Sequence, residues 1–500
     1  MGELVAGLAG RWRALERGAR AALAGMVVLV GGAIAVRAWL VLGYGPAFLG
    51  FGDSHEYVSA ALLGVFRDPQ KPAGYPLFLS LAHLFSDRLA FTILLQHTLG
   101  VTTGVLLYKA LRRTGAPPWL GLLPAAVVFF GGTGLLLEHS LLADSLFAFA
   151  QALGIYAAVR ALREPGLRWA LLAGLAVGAS FWIKEVALSS AVLLPALLAL
   201  YAPGAKRRRL RSAVCAAGAV ALLIGGYLGV QALATGYWGL QRQSAWNLYG
   251  RVATFVDCAH FTAPAGTRSL CPSEAPAHRQ SESFYQYGRE APAVARFGGP
   301  ARAPGYANAL LMSFSLAAIE QQPGAYAGAI LHGLTFNISP RGGEGYTPEA
   351  VRESLLESQG TSSIQPTVAR YYPHDRGYRS APGAITALAS YEEHTRVQGP
   401  LLVALLAAAL LGIPLLPRRL RGAALLFTLT AILSVTLAEA ANGYDARYAY
   451  PAFGPLAAGA ALGAWGLAGA LMRAVSRRTS ASGGLTRSAP SRPSARPTAR

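Results

Sequence analysis

The chain has 500 residues, of which 53% are hydrophobic and only 14% are charged. This composition excludes an ordinary soluble globular protein and indicates a polytopic membrane protein. The formal net charge is +20, but the basic residues form short clusters between apolar runs and in the C-terminal tail. That distribution is typical of membrane topology and does not favour nucleic-acid binding.

Ten apolar segments approach the length of about 20 residues that a helix needs to cross a bilayer. They are residues 21–43, 88–110, 118–136, 141–161, 168–183, 186–202, 212–234, 398–416, 420–438 and 449–472. When all of them cross, every basic cluster falls on one side, which the positive-inside rule identifies as the cytoplasm. The sequence therefore predicts a multi-pass protein with cytoplasmic N- and C-termini. Its heavy use of Ala, Gly and Arg is typical of a GC-rich bacterial genome, so we expect a bacterial plasma membrane.

This topology divides the chain into four parts. The expected fold class is an all-α polytopic membrane protein of about ten transmembrane helices with a mixed extracytoplasmic insert. The parts are an N-terminal membrane module (1–235, about seven spans, first outer loop 44–87), the insert (236–397), C-terminal transmembrane helices (398–473) and a disordered, basic cytoplasmic tail (474–500).

The insert contains two of the three cysteines, Cys258 and Cys271. Thiols outside the cytoplasm lie in an oxidising compartment, where disulfides form and persist. We therefore expect these two residues to pair.

Ionisable residues gather at the outer ends of the predicted spans. Charged groups are costly beside lipid, so such positions favour functional roles. The residues are Arg37 in the first span, Asp53, His55, Glu56 and Lys71 in the first outer loop, Glu138, His139 and Asp144 near the next outer turn, Lys184 and Glu185, and finally Glu439, Asn442, Asp445, Arg447 and Tyr448. Four loops thus bring carboxylates and cations to one membrane face, which is a candidate active site.

Several of these residues also have a purely structural explanation. Arg37 is placed where it can snorkel to lipid phosphates, and Asp53 precedes an amphipathic helix that it can cap. Lys184 can pair with its neighbour Glu185 at the interface. A salt bridge between residues 445 and 447 can close a turn.

Short motifs recur along the membrane part in a fixed order. The first span contains Arg37, and the loop after it contains Asp53, Glu56 and Tyr57. A Pro-Ala-Gly-Tyr-Pro segment that includes Tyr75 follows. Acidic Glu138 and basic Lys184 come next, and the last span opens with Arg447, Tyr448 and Pro451.

This order resembles the GT-C superfamily of polyprenyl-phosphate-dependent glycosyltransferases, and especially family 39, the bacterial protein mannosyltransferases and lipid A aminoarabinose transferases. The chain departs from the family where Ser54 and His55 separate Asp53 from Glu56, and where Lys184 stands at a position often occupied by Arg. The insert matches no module of the family.

The resemblance implies a GT-C-like membrane glycosyltransferase, moving a hexosyl or pentosyl group from a polyprenyl-phosphate donor to an acceptor hydroxyl at the extracytoplasmic face. Asp53 is then the general base, because a hydroxyl is a weak nucleophile, and cations stabilise the phosphate leaving group. The expected catalytic residues are Asp53, Glu56 and Glu138, and the expected substrate or lipid-phosphate ligands are Arg37, Lys184, Arg447, Tyr448, His139 and Tyr75.

The acceptor stays open among a glycan, a lipid and a protein, and membrane lipids are expected partners. No cofactor is certain. Metal dependence varies across the superfamily, so a divalent cation held near Glu138 and His139 stays open as well.

Two alternatives remain. A lipid-linked sugar flippase or other transporter would move its substrate without covalent transfer, and its polar groups should then lie near the bilayer midplane. Here they lie at the outer ends of the spans, which favours surface chemistry. A catalytically inactive scaffold would retain the same fold.

Overall fold

A computed structural model of the protein describes residues 17–49, 53–67, 71–339, 347–357, 366–375 and 377–483. The N-terminal part forms α1 (Arg17–Gly43), β1 (Tyr44–Gly45), α2 (Asp53–Leu63), α3 (Gly74–His83), α4 (Leu89–Arg113), α5 (Leu122–Phe130), α6 (Gly132–Glu138), α7 (Asp144–Arg163), α8 (Arg168–Phe181), α9 (Ala187–Tyr201) and α10 (Lys206–Thr235).

The remaining chain is also almost entirely helical in the part that the structure describes. It forms α11 (Gln243–Ala253), α12 (Glu282–Tyr287), α13 (Pro292–Phe297), α14 (Gly305–Gln321), α15 (Pro323–Ile338), α16 (Pro348–Glu357), α17 (Pro366–Tyr371), β2 (Arg379–Ser380), α18 (Ala384–Thr395), α19 (Pro400–Gly412), α20 (Arg418–Asn442) and α21 (Tyr450–Gly483). Strand β2 pairs antiparallel with β1 and so ties the insert to the end of α1.

Within the described residues, seven helical segments are long and apolar enough to cross a membrane, or eight if a bent pair is one span. They include α1, α4, α7, α10 and α20, together with the runs Ala384–Leu415 and Ala446–Arg477. The predicted spans at 168–183 and 186–202 are the shorter apolar helices α8 and α9. The multi-pass, all-helical character is therefore confirmed, whereas ten spans are not.

The bent pair is α5 and α6, which meet at 56°. Gly131 interrupts the helix with an extended backbone. A Cβ atom on Gly132 would lie 2.4 Å from the Cα of Glu392, so α18 crosses α6 at a distance that only glycine permits. The bend directs α6 and its last residue, Glu138, towards the end of the bundle where Asp53 lies.

The long helices share a charge asymmetry along their axes. Basic clusters occur at the C-terminal end of α4 and at the N-terminal ends of α10 and α20. The opposite ends of these helices, near Leu89, Thr235 and Asn442, face the loops that carry Asp53 and Arg447. This pattern is the one from which cytoplasmic termini are predicted.

The insert differs from the mixed domain expected from its Pro and Gly content. Its described residues form helices apart from β2, because prolines open α13, α15, α16 and α17 at a position where a missing N–H costs nothing. Trp246, Tyr249 and Phe314 form a separate apolar core. Cys258 and Cys271 form a disulfide, with Cα atoms 6.0 Å apart.

The C-terminal tail also begins later than expected. Helix α21 continues to Gly483, so residues 474–483 are helical where disorder was predicted. The rest of the predicted tail, 484–500, lies outside the described residues.

Candidate active site

The candidate site is built around Asp53, the first residue of α2. Its Oδ1 atom lies 2.7 Å from Lys71 Nζ, and its Oδ2 atom lies 2.8 Å from Arg447 Nη2. Lys71 also pairs with Glu56 Oε2 at 3.0 Å. Asp53 and Lys71, which follow the first long helix, therefore form one ion-pair network with Arg447, which precedes the last long helix.

This network fixes the protonation state of its members. Burial raises the pKa of Asp53, but the nearby Lys71 and Arg447 outweigh it and hold that pKa below its usual range. Burial lowers the pKa of Lys71, while Asp53 and Glu56 together raise it well above its usual value. Both groups are therefore charged near neutral pH.

Arg447 is held from two sides. It lies on the 3₁₀ turn Ala446–Ala449, where Asp445 Oδ1 accepts a bond from its backbone N–H at 3.0 Å. Its Nε atom donates to Asp445 Oδ2 at 2.8 Å, while Nη2 faces Asp53. The expected 445–447 bridge is present, and the same guanidinium also reaches the first outer loop.

A second cation lies across the ring of Tyr448. Lys184 Nζ is 5.6 Å from the ring centre, and the guanidinium carbon of Arg447 is 5.4 Å from it. Lys184 pairs with the buried Asp144 at 2.5 Å and not with Glu185, which contacts Ser244 of the insert. The two cations and the ring form a surface suited to an anionic group.

Two cavities share this charged wall. The first, called here the polar cavity, has a volume of about 460 Å³ and extends to α11 and α12 of the insert. The second, called the apolar cavity, has a similar volume of about 460 Å³. Residues Asp53, Lys71, Asn247, Asn442, Arg447 and Tyr448 line both cavities.

The apolar cavity has aromatic and aliphatic walls beside Lys184. These include Phe147, Phe181, Leu188, Trp238 and Leu437. Leu188 is 45% exposed and Trp238 is 75% exposed, so the apolar lining continues onto the outer surface of the helices. Its composition suits a hydrocarbon chain.

The loop that carries Lys71 is tied to two distant segments. The backbone N–H of Gly74 donates to Trp182 O at 2.8 Å, just before Lys184. The Tyr227 hydroxyl accepts a bond from the N–H of Ala73 at 3.1 Å and donates to Leu240 O at 2.9 Å. A single hydroxyl thus links the first outer loop to the start of the insert.

Three of the expected site residues form a separate buried cluster. Arg37 Nε and Nη2 donate to the two carboxylate oxygens of Glu138 at 2.8 and 2.7 Å. His97 Nδ1 lies 3.1 Å from the same carboxylate, and His97 Nε2 lies 3.1 Å from His139 Nδ1. The His97 ring therefore joins the carboxylate of Glu138 to the ring of His139.

This cluster does not line either cavity. Arg37 is 4% exposed and Glu138 is fully buried, so Arg37 does not snorkel to the lipid surface. Burial and the neighbouring His97 hold the pKa of His139 well below its usual range, so its ring is neutral. Phe48 N donates to His139 O at 3.0 Å, which links the cluster to the segment before α2.

Tyr75 lies between the two groups. Its ring is 4.8 Å from that of Tyr57, and its hydroxyl donates to Gln96 Oε1 at 2.6 Å. Gln96 in turn donates to the backbone oxygens of Glu138 and Ser140. Tyr75 is fully buried and supports the wall behind Asp53 without lining a cavity.

Sequence patterns did not single out several residues of these networks. His97 lies on the apolar helix α4, where a lone histidine carries no spacing signal. Arg251 and Glu282 of the insert pair at 2.5 Å beside the polar cavity. Arg251 is only 3% exposed. The sequence does not indicate this burial, because it depends on how the insert helices pack.

The described residues contain no group of three or more His, Cys, Asp or Glu side chains suited to a metal ion. The carboxylate of Glu138 is already occupied by Arg37 and His97. The proposed divalent cation at Glu138 and His139 therefore does not fit these residues, and no chemical step is routed through a metal below.

Comparison with known proteins gives a partial sequence match. Residues 70–226 match the family model described as dolichyl-phosphate-mannose-protein mannosyltransferase. The match includes Lys71, Glu138 and Lys184, while Asp53 and Arg447 lie outside it. No curated protein matches the chain.

Among solved structures, similar ones include the archaeal oligosaccharyltransferase AglB from Archaeoglobus fulgidus in complex with an inhibitory peptide and a dolichol-phosphate. It has 13% identity and a TM-score of 0.42, over 91% of this chain and 52% of that one. Another is the Archaeoglobus fulgidus oligosaccharyltransferase tethered to an acceptor peptide, at 12% identity and a TM-score of 0.41, over 88% of this chain and 49% of that one. This chain thus spans about half the length of those archaeal proteins. The family match over residues 70–226 confirms the resemblance of the membrane part to the GT-C superfamily of glycosyltransferases.

Proposed function

We propose that the protein transfers a sugar from a polyprenyl-phosphate donor to an acceptor hydroxyl at the extracytoplasmic face of a bacterial plasma membrane. The observation that carries this proposal is the position of Asp53. Its carboxylate lies between Lys71 and Arg447, on the wall shared by a polar and an apolar cavity.

The donor phosphate would bind beside Tyr448, between Arg447 and Lys184. Arginine forms bidentate bonds with phosphate oxygens, and two cations stabilise the charge that develops as the sugar leaves. The isoprenoid chain would lie along Leu188 and Trp238 in the apolar cavity. This arrangement keeps the reacting carbon at the junction of the two cavities.

In the transfer step, the acceptor oxygen attacks C1 of the sugar while the bond from C1 to the phosphate oxygen breaks. The electron pair leaves with the polyprenyl phosphate, and the acceptor proton passes to the Asp53 carboxylate. A carboxylate held by two cations is a weak base. The donor phosphate therefore has a second role, since it competes for Arg447 and raises the basicity of Asp53.

Reconstituted protein in liposomes with a labelled polyprenyl-phosphate sugar provides the test. We expect label in an acceptor glycoside and release of polyprenyl phosphate. Asp53→Asn should lower kcat by on the order of 10²-fold or more, within the usual contribution of a general base. Near wild-type turnover in a folded Asp53→Asn protein would exclude Asp53 as the base.

Two substitutions address the donor site. Lys184→Ala should raise the donor KM, whereas Lys109→Ala, an exposed lysine on α4, should leave it unchanged. Movement of the labelled lipid across the bilayer without a new glycosidic bond would instead favour a flippase.

A further inference from the structure

The polar cavity has a lining unlike that of most ligand sites, which are predominantly apolar. None of the described residues around it has an aliphatic side chain. Its wall carries amides and hydroxyls from the insert, chiefly Gln243, Asn247, Ser283 and Gln286. Each of these groups can both donate and accept hydrogen bonds, which is the pattern that sugar hydroxyls require.

The two cations that line the polar cavity already have carboxylate partners. Lys71 is paired with Asp53 and Glu56, and Arg447 is paired with Asp53 and Asp445. Four carboxylates line the cavity, those of Asp53, Glu56, Glu282 and Asp445, against only two cations, so an acidic acceptor would meet repulsion. The cavity favours an uncharged, polyhydroxylated occupant.

Two residues that line this cavity each carry a buried polar side-chain atom without a partner among the described residues. The two atoms are the Tyr444 hydroxyl and the Asn442 side-chain oxygen. Tyr444 is 5% exposed, so its hydroxyl would be costly to leave unsatisfied. A ligand that brings several hydroxyls can satisfy both atoms, whereas a serine or threonine side chain offers one hydroxyl.

The insert side of the cavity is anchored to the membrane helices. Arg251 of α11 pairs with Glu282 of α12 at 2.5 Å and lies 3.8 Å from Glu439 of α20. Asn337 of α15 donates to Glu439 at 3.4 Å. These contacts connect α12, which carries Ser283 and Gln286, to α15 and α20, and an acceptor subsite requires such fixed walls.

We infer that the polar cavity binds the acceptor as a neutral saccharide, held by Gln243, Asn247, Ser283 and Gln286 of the insert with one hydroxyl directed at Asp53. This inference rests on the proposed glycosyl transfer and adds the class of acceptor. Acceptor selectivity then resides in α11 and α12, and the membrane helices supply the donor site and the base.

Binding is measured first, because it does not depend on turnover. The protein is placed in nanodiscs free of glycosidic detergent, and saturation-transfer NMR is recorded with a panel of methyl glycosides of neutral hexoses and pentoses. We expect at least one glycoside to bind the wild type. Binding should fall at least tenfold in Gln243→Ala/Ser283→Ala and stay unchanged in Arg302→Ala, an exposed position of the insert. Absence of binding by every glycoside would overturn the inference, whatever the outcome of the transfer assay.

Transfer is measured next, with a methyl glycoside, a short lipid-linked glycan, a serine-containing peptide and a long-chain alcohol as acceptors. Product on either saccharide supports the inference, and the comparison of the two shows whether the natural glycan is free or lipid-linked. Product on the peptide or the alcohol alone overturns it while leaving glycosyl transfer intact. No product on any acceptor, together with glycoside binding, would instead count against the proposed function.

If the two cavities bind different substrates, a substitution in one cavity should change the KM of only one substrate. Gln243→Ala/Ser283→Ala should raise the acceptor KM at least tenfold and change the donor KM less than twofold. Leu188→Ala in the apolar cavity should do the reverse. A rise in the donor KM alone for the double variant would show that the polar cavity holds the donor sugar, and would overturn the assignment.

Discussion

The carboxylate of Asp53 lies 2.8 Å from the guanidinium of Arg447, although one follows the first long helix and the other precedes the last. Arg447 is fixed independently by Asp445. The charged centre is therefore complete only when the two ends of the membrane part have packed together, and the site reports on correct assembly of the bundle.

Substitution of Arg447 should affect catalysis through geometry as well as charge. In Arg447→Lys the charge remains, but an ammonium cannot bridge Asp53 and Asp445 in the same planar geometry. We expect kcat to fall by about 10- to 100-fold, and by more in Arg447→Ala, since a stabilising cation is then lost. Steady-state transfer kinetics measure this effect, with Arg302→Lys as the matched surface control. Equal activity of the Lys variant would show that only charge is needed.

The pH dependence of stability should show the low pKa of Asp53. Its folded pKa lies below the unfolded value of about 3.9. The stabilisation from its ion pairs is therefore fully present above about pH 4 and is lost as the pH falls towards the folded pKa. The difference in apparent Tm between wild type and Asp53→Asn should be constant from about pH 5 to 8 and shrink below about pH 4.

The low pKa of Asp53 also affects the expected pH dependence of activity. An acid limb of kcat/KM between about pH 5 and 8 cannot arise from free Asp53 if its pKa lies below that range. A limb in this window that shifts in Asp53→Glu would contradict the low pKa.

The Arg37–Glu138 pair should contribute mainly to stability. Arg37→Met leaves a buried carboxylate without its cation, which typically costs about 3–5 kcal/mol. Replacement of both residues in Arg37→Met/Glu138→Leu should recover much of this loss, because a buried ion pair is often replaceable by apolar side chains. Thermal unfolding in detergent measures the difference, with the exposed Arg88→Met as control. Full activity in a stable double variant would exclude Arg37 as a phosphate ligand and Glu138 as a catalytic residue.

The disulfide should stabilise the insert. Cys258 and Cys271 are separated by 13 positions, and closure of a loop of that size contributes about 3 kcal/mol in the chain-entropy model. The paired replacement Cys258→Ser/Cys271→Ser should lower the apparent Tm, whereas Cys215→Ser should not. Limited proteolysis should cleave the double variant first within the insert. An unchanged cleavage pattern would show that the insert core alone maintains the fold.

Apolar periodicity and basic flanks were sufficient to predict the long membrane helices, because burial in lipid demands continuous apolar runs. They also placed Asp53, Lys184 and Arg447 at one end of the bundle. The partners of those residues were not predictable, since Asp144 and Glu185 are equally near Lys184 in a topology diagram. Only packing in three dimensions assigns the pair.

The contacts of Arg37 and Glu138 were also not predictable from the sequence. The sequence places Arg37 within the first span and Glu138 near an outer turn, on the same side of the membrane as Asp53, which made both candidates for substrate contact. The bend at Gly131 turns Glu138 towards Arg37 and His97. The Gly131–Gly132 pair marks a break in the sequence but does not give its direction. The insert was misjudged for a different reason, because four of its prolines open helices and do not interrupt them.

The Tyr227 hydroxyl bonds both to Ala73 beside Lys71 and to Leu240 at the start of the insert. The loop on one side of the apolar cavity and the segment on its other side are thus joined through one oxygen atom. If the start of the insert moved away from the membrane helices, it would either break one of the two Tyr227 bonds or move the Lys71 loop with it. The position of Lys71 beside Asp53 therefore depends in part on the start of the insert, and Tyr227→Phe removes both bonds.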